Sequence, residues 1–147
     1  MTVSDKKQII KEVKKVSDTI TRFCEKAQAD SLLQCYADTD DFLAFSGDGK
    51  MRKYSEYKNL CTAYYNSVTG QEISTIHEVF HVIDPNLVIL GWTGNINAFL
   101  KNGDVMRLKD YSVTFIFKKI GNQWKVIHSH ESSLPPEIEK YIAYLNK

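Results

Sequence analysis

Residues 121–133 read GNQWKVIHSHESS, and this stretch carries the strongest indication of the fold. After a Gly-Asn turn, Trp124, Val126, His128 and His130 occupy alternate positions. Because successive side chains of a strand point to opposite faces, these four residues would share one face. A lysine and a glutamate stand among the intervening positions. The sequence therefore predicts a final strand that turns its tryptophan and both histidines toward a sheltered interior.

Composition is that of an ordinary globular domain. The chain has 147 residues, 43% of them hydrophobic and 25% charged, with a formal net charge of +1. Such a balance gives no basis for binding nucleic acid or an anionic membrane surface, and no apolar run approaches the ~20 residues that cross a bilayer. The N-terminal MTVSDKKQII has no apolar secretory core, and the three cysteines form no C-x-x-C pair. We expect a single domain over 1–147, cytoplasmic, with reduced thiols.

Helical periodicity dominates the first half of the chain. Ser4 is predicted to cap a long first helix and Asp30 a short second one. A third helix is expected to begin at Ser55 and end at Gly70. After Pro135-Pro136, apolar spacing predicts a closing helix. The apolar stripe of the first helix comprises Ile9, Val13, Val16, Ile20, Phe23 and Ala27, and that of the closing helix Ile138, Tyr141, Ile142 and Leu145.

The second half reads as a β-sheet. DFLAFSGDGKMRKY, residues 41–54, is typical of a hairpin with a glycine-rich turn. Runs rich in Val, Ile, Thr and aromatics then predict long antiparallel strands at 72–83, 86–100, 104–119 and 123–132. Helices followed by a strand meander indicate an α+β fold.

Residues 77–81, HEVFH, match the H-E-x-x-H pattern of zinc proteases. That chemistry needs both histidines one turn apart on a helix, where they can share one zinc ion. Half of the twelve residues in EISTIHEVFHVI are β-branched, which favours a strand. On a strand, the two histidines would lie about 13 Å apart. We therefore predict no metal site and no metalloprotease.

The tail resembles the final strand of the SnoaL-like branch of the nuclear-transport-factor-2-like superfamily, in the pattern W-x-x-[IV]-H-x-H-x-S. It is also similar to the ending of the calcium/calmodulin-dependent kinase II association domain. Two upstream stretches extend the likeness over roughly residues 8–133: EKAQADSLLQCYADTDDFLAFSGDGK looks like the family's helix–helix–hairpin opening, and FHVIDPNLVILGWTGNI looks like its first two long strands.

The resemblance implies a cystatin-like or nuclear-transport-factor-2-like cone. In such a cone, a curved antiparallel sheet wraps around three helices and encloses a pocket, here with an extra C-terminal helix. Homodimers joined through the sheet are also implied. Steroid isomerases of the superfamily use a pocket carboxylate as base, and the corresponding position here holds Ser46, with Asp48 two residues on. Isomerase chemistry of that kind is disfavoured by this substitution.

His128 and His130 are the candidate catalytic residues, with Asp110 as a helper. Alternate residues of a strand lie about 6.6 Å apart, so the two imidazoles could relay a proton near neutral pH. The alternatives are buried, hydrogen-bonded histidines that fix the strand end, and a metal site completed by a third ligand. The predicted ligand-binding residues are Tyr57, Tyr64, Trp92, Tyr111, Phe115 and Trp124.

Three functions remain open at this point. The first is a binding domain for a small hydrophobic or mixed-polarity ligand, with an aromatic pocket and the histidine pair at its polar end. The second is an acid–base isomerase, cyclase or dehydratase that uses His130 or His128, helped by Asp110 or Tyr57. The third is an association module that oligomerises through the sheet. No cofactor is expected for any of them.

Overall fold

A computed structural model describes residues 1–135 and places three helices and six strands there. The helices are α1 (Val3–Glu25), α2 (Ala29–Leu33) and α3 (Tyr54–Ser67). The strands are β1 (Leu43–Phe45), β2 (Met51–Arg52), β3 (Val68–Asp84), β4 (Leu87–Leu100), β5 (Val105–Ile120) and β6 (Gln123–Ser132). This order is the predicted α+β arrangement. The predicted closing helix lies outside the described residues.

The helix ends differ from the sequence prediction. Thr2, not Ser4, caps α1: its hydroxyl accepts a hydrogen bond from the Asp5 N–H at 3.1 Å, and the Asp5 carboxylate accepts one from the Thr2 N–H at 2.7 Å. A reciprocal pair of this kind outcompetes an isolated serine. Asp30 lies inside α2, which follows Gln28. Both predicted caps are therefore wrong by two residues.

The third helix passes directly into β3 without a glycine stop. α3 ends at Ser67, and Gly70 lies within β3. A side chain at Gly70 would place its Cβ 2.9 Å from the Glu25 carbonyl oxygen. This glycine therefore permits the close approach of β3 to the end of α1, and the prediction that it terminates α3 is wrong.

The sheet has the strand order β2-β1-β6-β5-β4-β3. The four long strands pair antiparallel, but β1 runs parallel to β6, with Leu43 opposite His128 and Phe45 opposite His130. The predicted purely antiparallel sheet is thus a mixed sheet. A pairing between strands so far apart in the chain leaves no local sequence signal. Hairpins, in contrast, are marked by their turn residues.

Irregularities in strand register curve the sheet around the helices. One lies in β3 between Thr75 and His77, where β3 pairs with β4. A second lies where β4 pairs with β5 and includes Asp110 of β5. A third lies where β5 pairs with β6, at Ile116 and Phe117 of β5. Each adds a residue to one strand, which bends it and reverses which side chains face inward. Asp110 has a φ of 50°, the left-handed backbone of such a bulge.

The core lies between the helices and the inner face of the sheet. Val13 from α1, Phe42 before β1, Val88 from β4, Phe117 from β5 and Val126 from β6 have no exposed surface. The three cysteines carry free thiols, with Cys61 buried and the other two partly buried. No helix within residues 1–135 is long and apolar enough to cross a membrane.

HEVFH lies on β3, as its β-branched content predicts. Glu78 points inward, where its carboxylate accepts hydrogen bonds from Lys14 at 2.8 Å and Ser17 at 3.2 Å of α1. His77 and His81 are exposed on the opposite, outer face. Within the described part of the chain, no cluster of three or more His, Cys, Asp or Glu side chains could hold a metal ion.

Candidate functional site

Between α1, α3 and the inner face of the sheet lies a cavity of about 110 Å³, which we call the inner cavity. Most of its wall is apolar or aromatic. Ile20 of α1, Leu32 of α2 and Leu90 of β4 contribute aliphatic surface. Its aromatic lining consists of Tyr36, Tyr57, Tyr65, Trp92, Tyr111 and Phe115.

A second space of about 290 Å³, the outer cavity, adjoins the first. It extends past Leu60 and Tyr64 of α3 and Met106 of β5 to the exposed Gly47 of the β1–β2 turn. The two cavities share the lining residues Tyr57, Gln71, Ile96, Tyr111 and Glu131. The carboxyl group of Glu131 therefore lies where the two cavities meet.

Glu131 is the only charged side chain among the described residues that line either cavity. Its Oε2 accepts a hydrogen bond from the Tyr111 hydroxyl at 2.7 Å. Burial raises the pKa of Glu131 above its usual value, because a carboxylate is poorly solvated there. Hydrogen bonding by Tyr111, with smaller contributions from Tyr57 and a charged His130, lowers the pKa and opposes that rise. The net direction is upward, so this environment disfavours the ionised form of Glu131 compared with an exposed glutamate.

The tyrosines around it are neutral hydrogen-bonding groups. Burial raises the pKa values of Tyr36, Tyr57, Tyr65 and Tyr111, so none ionises at neutral pH. The rings of Tyr36 and Tyr57 pack with centroids 5.3 Å apart, and Tyr36 meets Phe115 edge-on at 6.0 Å. This packing fixes the aromatic wall.

Two polar contacts hold other parts of the lining in place. The Trp92 indole N–H donates to the Thr75 hydroxyl at 2.9 Å, and the ring lies across Gly94, where a Cβ would come within 2.5 Å of it. The Gln71 amide donates to the Tyr64 hydroxyl at 2.6 Å. Both contacts orient side chains that face the cavities, so the walls are formed before any ligand arrives.

The cavity thiols are unsuited to nucleophilic chemistry. Cys24 lines the inner cavity and Cys61 the outer one. Burial raises the pKa of each to about 12, which keeps both as thiols at neutral pH. Because the thiolate is the nucleophile, neither cysteine is set up to attack a ligand.

The family described as "Protein of unknown function (DUF3804)" matches residues 11–141. The chain belongs to the DUF3804 family. No curated protein sequence matches it.

Solved structures show which fold this DUF3804 member adopts. A nuclear transport factor 2-like superfamily protein from Salmonella enterica matches with a TM-score of 0.77 at 15% identity, over 87% of this chain and 92% of the other. A candidate scytalone dehydratase from Novosphingobium aromaticivorans matches with a TM-score of 0.80 at 7% identity, over 90% and 88%. A candidate calcium/calmodulin-dependent protein kinase II association domain from Xanthomonas campestris matches with a TM-score of 0.72 at 16% identity, over 85% and 87%. The predicted nuclear-transport-factor-2-like fold is confirmed; at these identities the likeness extends to the fold alone.

The predicted placement of the histidine pair in the pocket of this DUF3804 protein is wrong. His128 pairs with Ile116, but Phe117 pairs with Val126, so Ile127 is an extra residue in β6. Beyond this bulge the inward positions change from even to odd numbers. Trp124 and Val126 still face the interior, whereas His128 and His130 lie on the outer face. There the two imidazoles pack against Phe45, with ring centroids 5.8 and 5.4 Å away.

The outer position changes the chemistry open to the two imidazoles. Burial, together with the charge of His130, lowers the pKa of His128, which favours its neutral form. Neither ring lines the inner or the outer cavity. A proton relay between them would therefore act on the sheet surface and not on a molecule held inside.

Asp110 also lies away from both cavities, contrary to the prediction. It occupies the bulge of β5, where its N–H donates to the Asn95 side-chain oxygen at 3.1 Å, and its side chain is exposed. Trp124 faces inward but lines neither cavity, because its indole N–H donates to Glu12 of α1 at 3.0 Å. It lines a separate groove between α1 and α2.

The remaining aromatic residues lie where the sequence places them. Tyr57, Trp92, Tyr111 and Phe115 line the inner cavity, and Tyr64 lines the outer one. Their contact with a ligand stays a prediction. Sequence reasoning missed Glu131, because strict alternation puts it on the face opposite Trp124. The missing signal is the bulge, which has no marker such as glycine at Ile127.

Proposed function

We propose that this protein binds a small, largely apolar molecule in the joined cavities, with one polar group of the ligand directed at Glu131. The observation that carries this proposal is that Glu131 is the one charged side chain among the described lining residues, most of which are aromatic or aliphatic. Apolar pockets with a few convergent polar groups and a shifted pKa are typical of ligand sites. In this proposal, Glu131 and Tyr111 form the polar end of the pocket, a role that the sequence predicted for His128 and His130.

The energetics of Glu131 support a role beyond packing. A half-buried carboxylate whose hydrogen bonds come from neutral hydroxyls costs stability relative to an apolar residue of similar volume. Sites that carry such a cost are commonly those where activity requires the group. We therefore take Glu131 to be present for a ligand.

The size of the site indicates the size of the ligand. An apolar cavity of about 150 Å³ holds a benzene molecule, and the inner cavity measures about 110 Å³. One six-membered ring fits there if the side chains relax slightly. The outer cavity, about 290 Å³, leaves room for a substituent that extends past Glu131 toward Gly47. A ligand of one or two rings is favoured.

The test is a ring-containing fragment set screened by ligand-observed NMR against the full chain. Val113→Phe, which fills the inner cavity from β5, should abolish binding of the fragments that the wild type binds. Lys118→Phe places the same side chain on the exposed outer face of β5 and serves as the control. Binding that survives Val113→Phe would refute the inner cavity as the site.

A second candidate function is acid–base catalysis by Glu131. The observation that favours it is the raised pKa of a carboxyl group that lies within hydrogen-bonding distance of a tyrosine hydroxyl. Glu131 would exchange a proton with a bound carbonyl compound while Tyr111 donates to its oxygen. Solvent-deuterium exchange into enolisable cyclic ketones, followed by NMR, tests this. Exchange that persists in Glu131→Gln excludes Glu131 as the proton carrier.

We also propose that the protein forms a homodimer through the outer face of the sheet. Support comes from a row of residues across four strands, His81, Ile89, Ile116 and His128, beside the half-exposed Val79. Apolar surface of this kind on a sheet face suits association with a second copy. Light scattering at micromolar concentration should give twice the 16.9 kDa chain mass; a value near 17 kDa contradicts the proposal.

A further inference from the structure

We propose that the ligand of the joined cavities is a cation: a small organic amine whose ammonium group pairs with the Glu131 carboxylate and whose apolar body occupies the inner cavity. This inference rests on the proposed binding function and adds the charge of the ligand. The proposed positive charge of the ligand follows from a lining that contains one carboxylate and, among the described residues, no basic side chain.

The lining holds a negative group and no positive group; His130, whose charge acts on Glu131, lies on the outer face of the sheet and lines neither cavity. Among the described residues around the two cavities there is no Lys, Arg or His, whereas Glu131 belongs to both linings. Two lysines that lie near the inner face of the sheet already pair with other carboxylates: Lys14 with Glu78 at 2.8 Å and Lys119 with Glu12 at 3.1 Å. Neither is available to Glu131.

Basic side chains near the entrance do not alter this balance. Arg107 and Lys109 line a separate surface depression that shares Gly47, Leu108 and Ser133 with the outer cavity. Both are exposed and neither forms an ion pair with a described residue. Exposed cations of this kind are screened by water and contribute little to an enclosed charge.

The hydrogen bonds that Glu131 receives leave its charge in place. Tyr111 donates a neutral O–H at 2.7 Å, and Tyr57 makes a smaller contribution. Neutral donors solvate a carboxylate but do not cancel its charge, and a half-buried carboxylate in a largely apolar lining is costly without an opposite charge. A bound ammonium group would supply the missing charge and up to three N–H donors.

The aromatic lining favours the same class of ligand. Tyr36, Tyr57, Tyr65, Trp92 and Phe115 surround the inner cavity, and the faces of such rings attract cations. An anionic ligand would meet Glu131 with like charge. A neutral ligand would leave the carboxylate unpaired or require it to stay protonated. Of the three charge types, only a cation gains from both the carboxylate and the rings.

Three probes of nearly equal size separate these cases. The full chain is titrated calorimetrically with 2-phenylethylamine, 2-phenylethanol and phenylacetate, which carry a positive charge, no charge and a negative charge on the same ring. We expect the amine to bind at least tenfold more tightly than the alcohol, and phenylacetate to bind most weakly. Glu131→Gln, which retains an acceptor for Tyr111, should remove the tenfold preference and leave the affinity for the alcohol within about threefold.

Glu72→Gln is the matched control, because Glu72 is an exposed carboxylate of β3 outside both linings. Thermal melts of both variants show that they are folded. Alcohol or phenylacetate binding as tightly as the amine, or an amine preference that Glu131→Gln leaves intact, overturns this inference but leaves the proposed binding function standing. Failure of all three probes to bind the folded wild type at millimolar concentration overturns both.

Discussion

Replacing Glu12 tests whether the tail strand and the first helix are joined as the structure has them. The Glu12 Oε2 accepts hydrogen bonds from the Trp124 indole at 3.0 Å and from Lys119 at 3.1 Å. Glu12→Ala leaves the indole N–H of Trp124, a residue only 6% exposed, without its partner. An unsatisfied buried donor costs about 1–3 kcal/mol.

The ion pair adds less than the indole contact. The side chains of Lys119 and Glu12 are 30% and 35% exposed, so solvent screens their attraction, and such a pair contributes about 0.5 kcal/mol. We therefore expect Glu12→Ala to lower the free energy of unfolding by about 2 kcal/mol at pH 7. Glu12→Gln keeps an acceptor for the indole and should cost roughly 0.5 kcal/mol, the ion pair alone.

The pH dependence of this loss has a defined sign. Hydrogen bonds from Trp124, Gln8 and Lys119 lower the pKa of Glu12 from 4.5 to about 2. A carboxylate with a lowered pKa stabilises the fold above its unfolded value and loses that contribution as pH falls. The difference between wild type and Glu12→Ala should therefore shrink as pH falls from 5 toward 2.

Urea unfolding followed by tryptophan fluorescence, repeated from pH 7 down to pH 3, measures both quantities. Lys15→Ala is the control, since Lys15 lies at an exposed position of the same helix and its side chain forms no hydrogen bond or ion pair with a described residue. A Glu12→Ala cost below that of Lys15→Ala, or one that does not change with pH, would refute the contact between α1 and β6.

Four further predictions concern the cavity and the chain around it. Gly94→Ala should lower the Tm by several degrees and weaken ligand binding, because the new Cβ would lie 2.5 Å from the Trp92 indole and overpacking costs about 1–3 kcal/mol; an unchanged melt contradicts this. Ser129→Ala should raise the unfolding free energy by roughly 1 kcal/mol in urea titrations, since that hydroxyl is fully buried and makes no hydrogen bond within the described chain; a loss would show that it has a partner. Glu131→Gln should be more stable than the wild type at pH 8 but not at pH 4. Burial raises the pKa of Glu131 in the folded protein above 4.5, and a raised carboxyl pKa lowers stability only at a pH where the group ionises. Equal stability of the two proteins at pH 8 would contradict this prediction. EDTA should leave the Tm unchanged, because the histidines of residues 77–81 lie on a strand; a fall of several degrees would restore a metal site.

Local patterns determined much of the fold in advance. The element order, the strand identity of HEVFH and the inward Trp124 all follow from periodicity and β-branched content. The helix ends were wrong because the reciprocal Thr2–Asp5 pair and the close approach at Gly70 depend on geometry that single-residue preferences do not describe. The parallel pairing of β1 with β6 could not be predicted, since it joins segments with no shared turn.

The candidate site was harder to predict than the fold for one reason. Strict alternation along β6 assigns every residue after Trp124 to a face, and a single extra residue at Ile127 reverses the assignment from there to the strand end. Trp92 of β4 and Phe115 of β5 line the inner cavity, as the sequence predicted. No extra residue interrupts the alternation of side chains on the parts of these strands that carry them. Asp110 was misplaced for a similar reason, because it lies in the bulge of β5 and not on a regular strand position.

That one bulge also decides the electrostatics of the molecule. Without it, two imidazoles would face the cavity and Glu131 would face solvent, which would give a site that becomes positive on acidification. With it, all four histidines lie outside the cavities, on the outer face of the sheet, and Glu131, which becomes neutral on acidification, is the one carboxyl group among the described residues that line the cavities. Under the proposal of a cationic ligand, the two arrangements would favour ligands of opposite charge. The hydrophobic pattern of β6 is compatible with a strand that has the bulge and with one that lacks it. The charge preference of the site therefore reports on the register of β6. The comparison of 2-phenylethylamine with phenylacetate tests that register in solution.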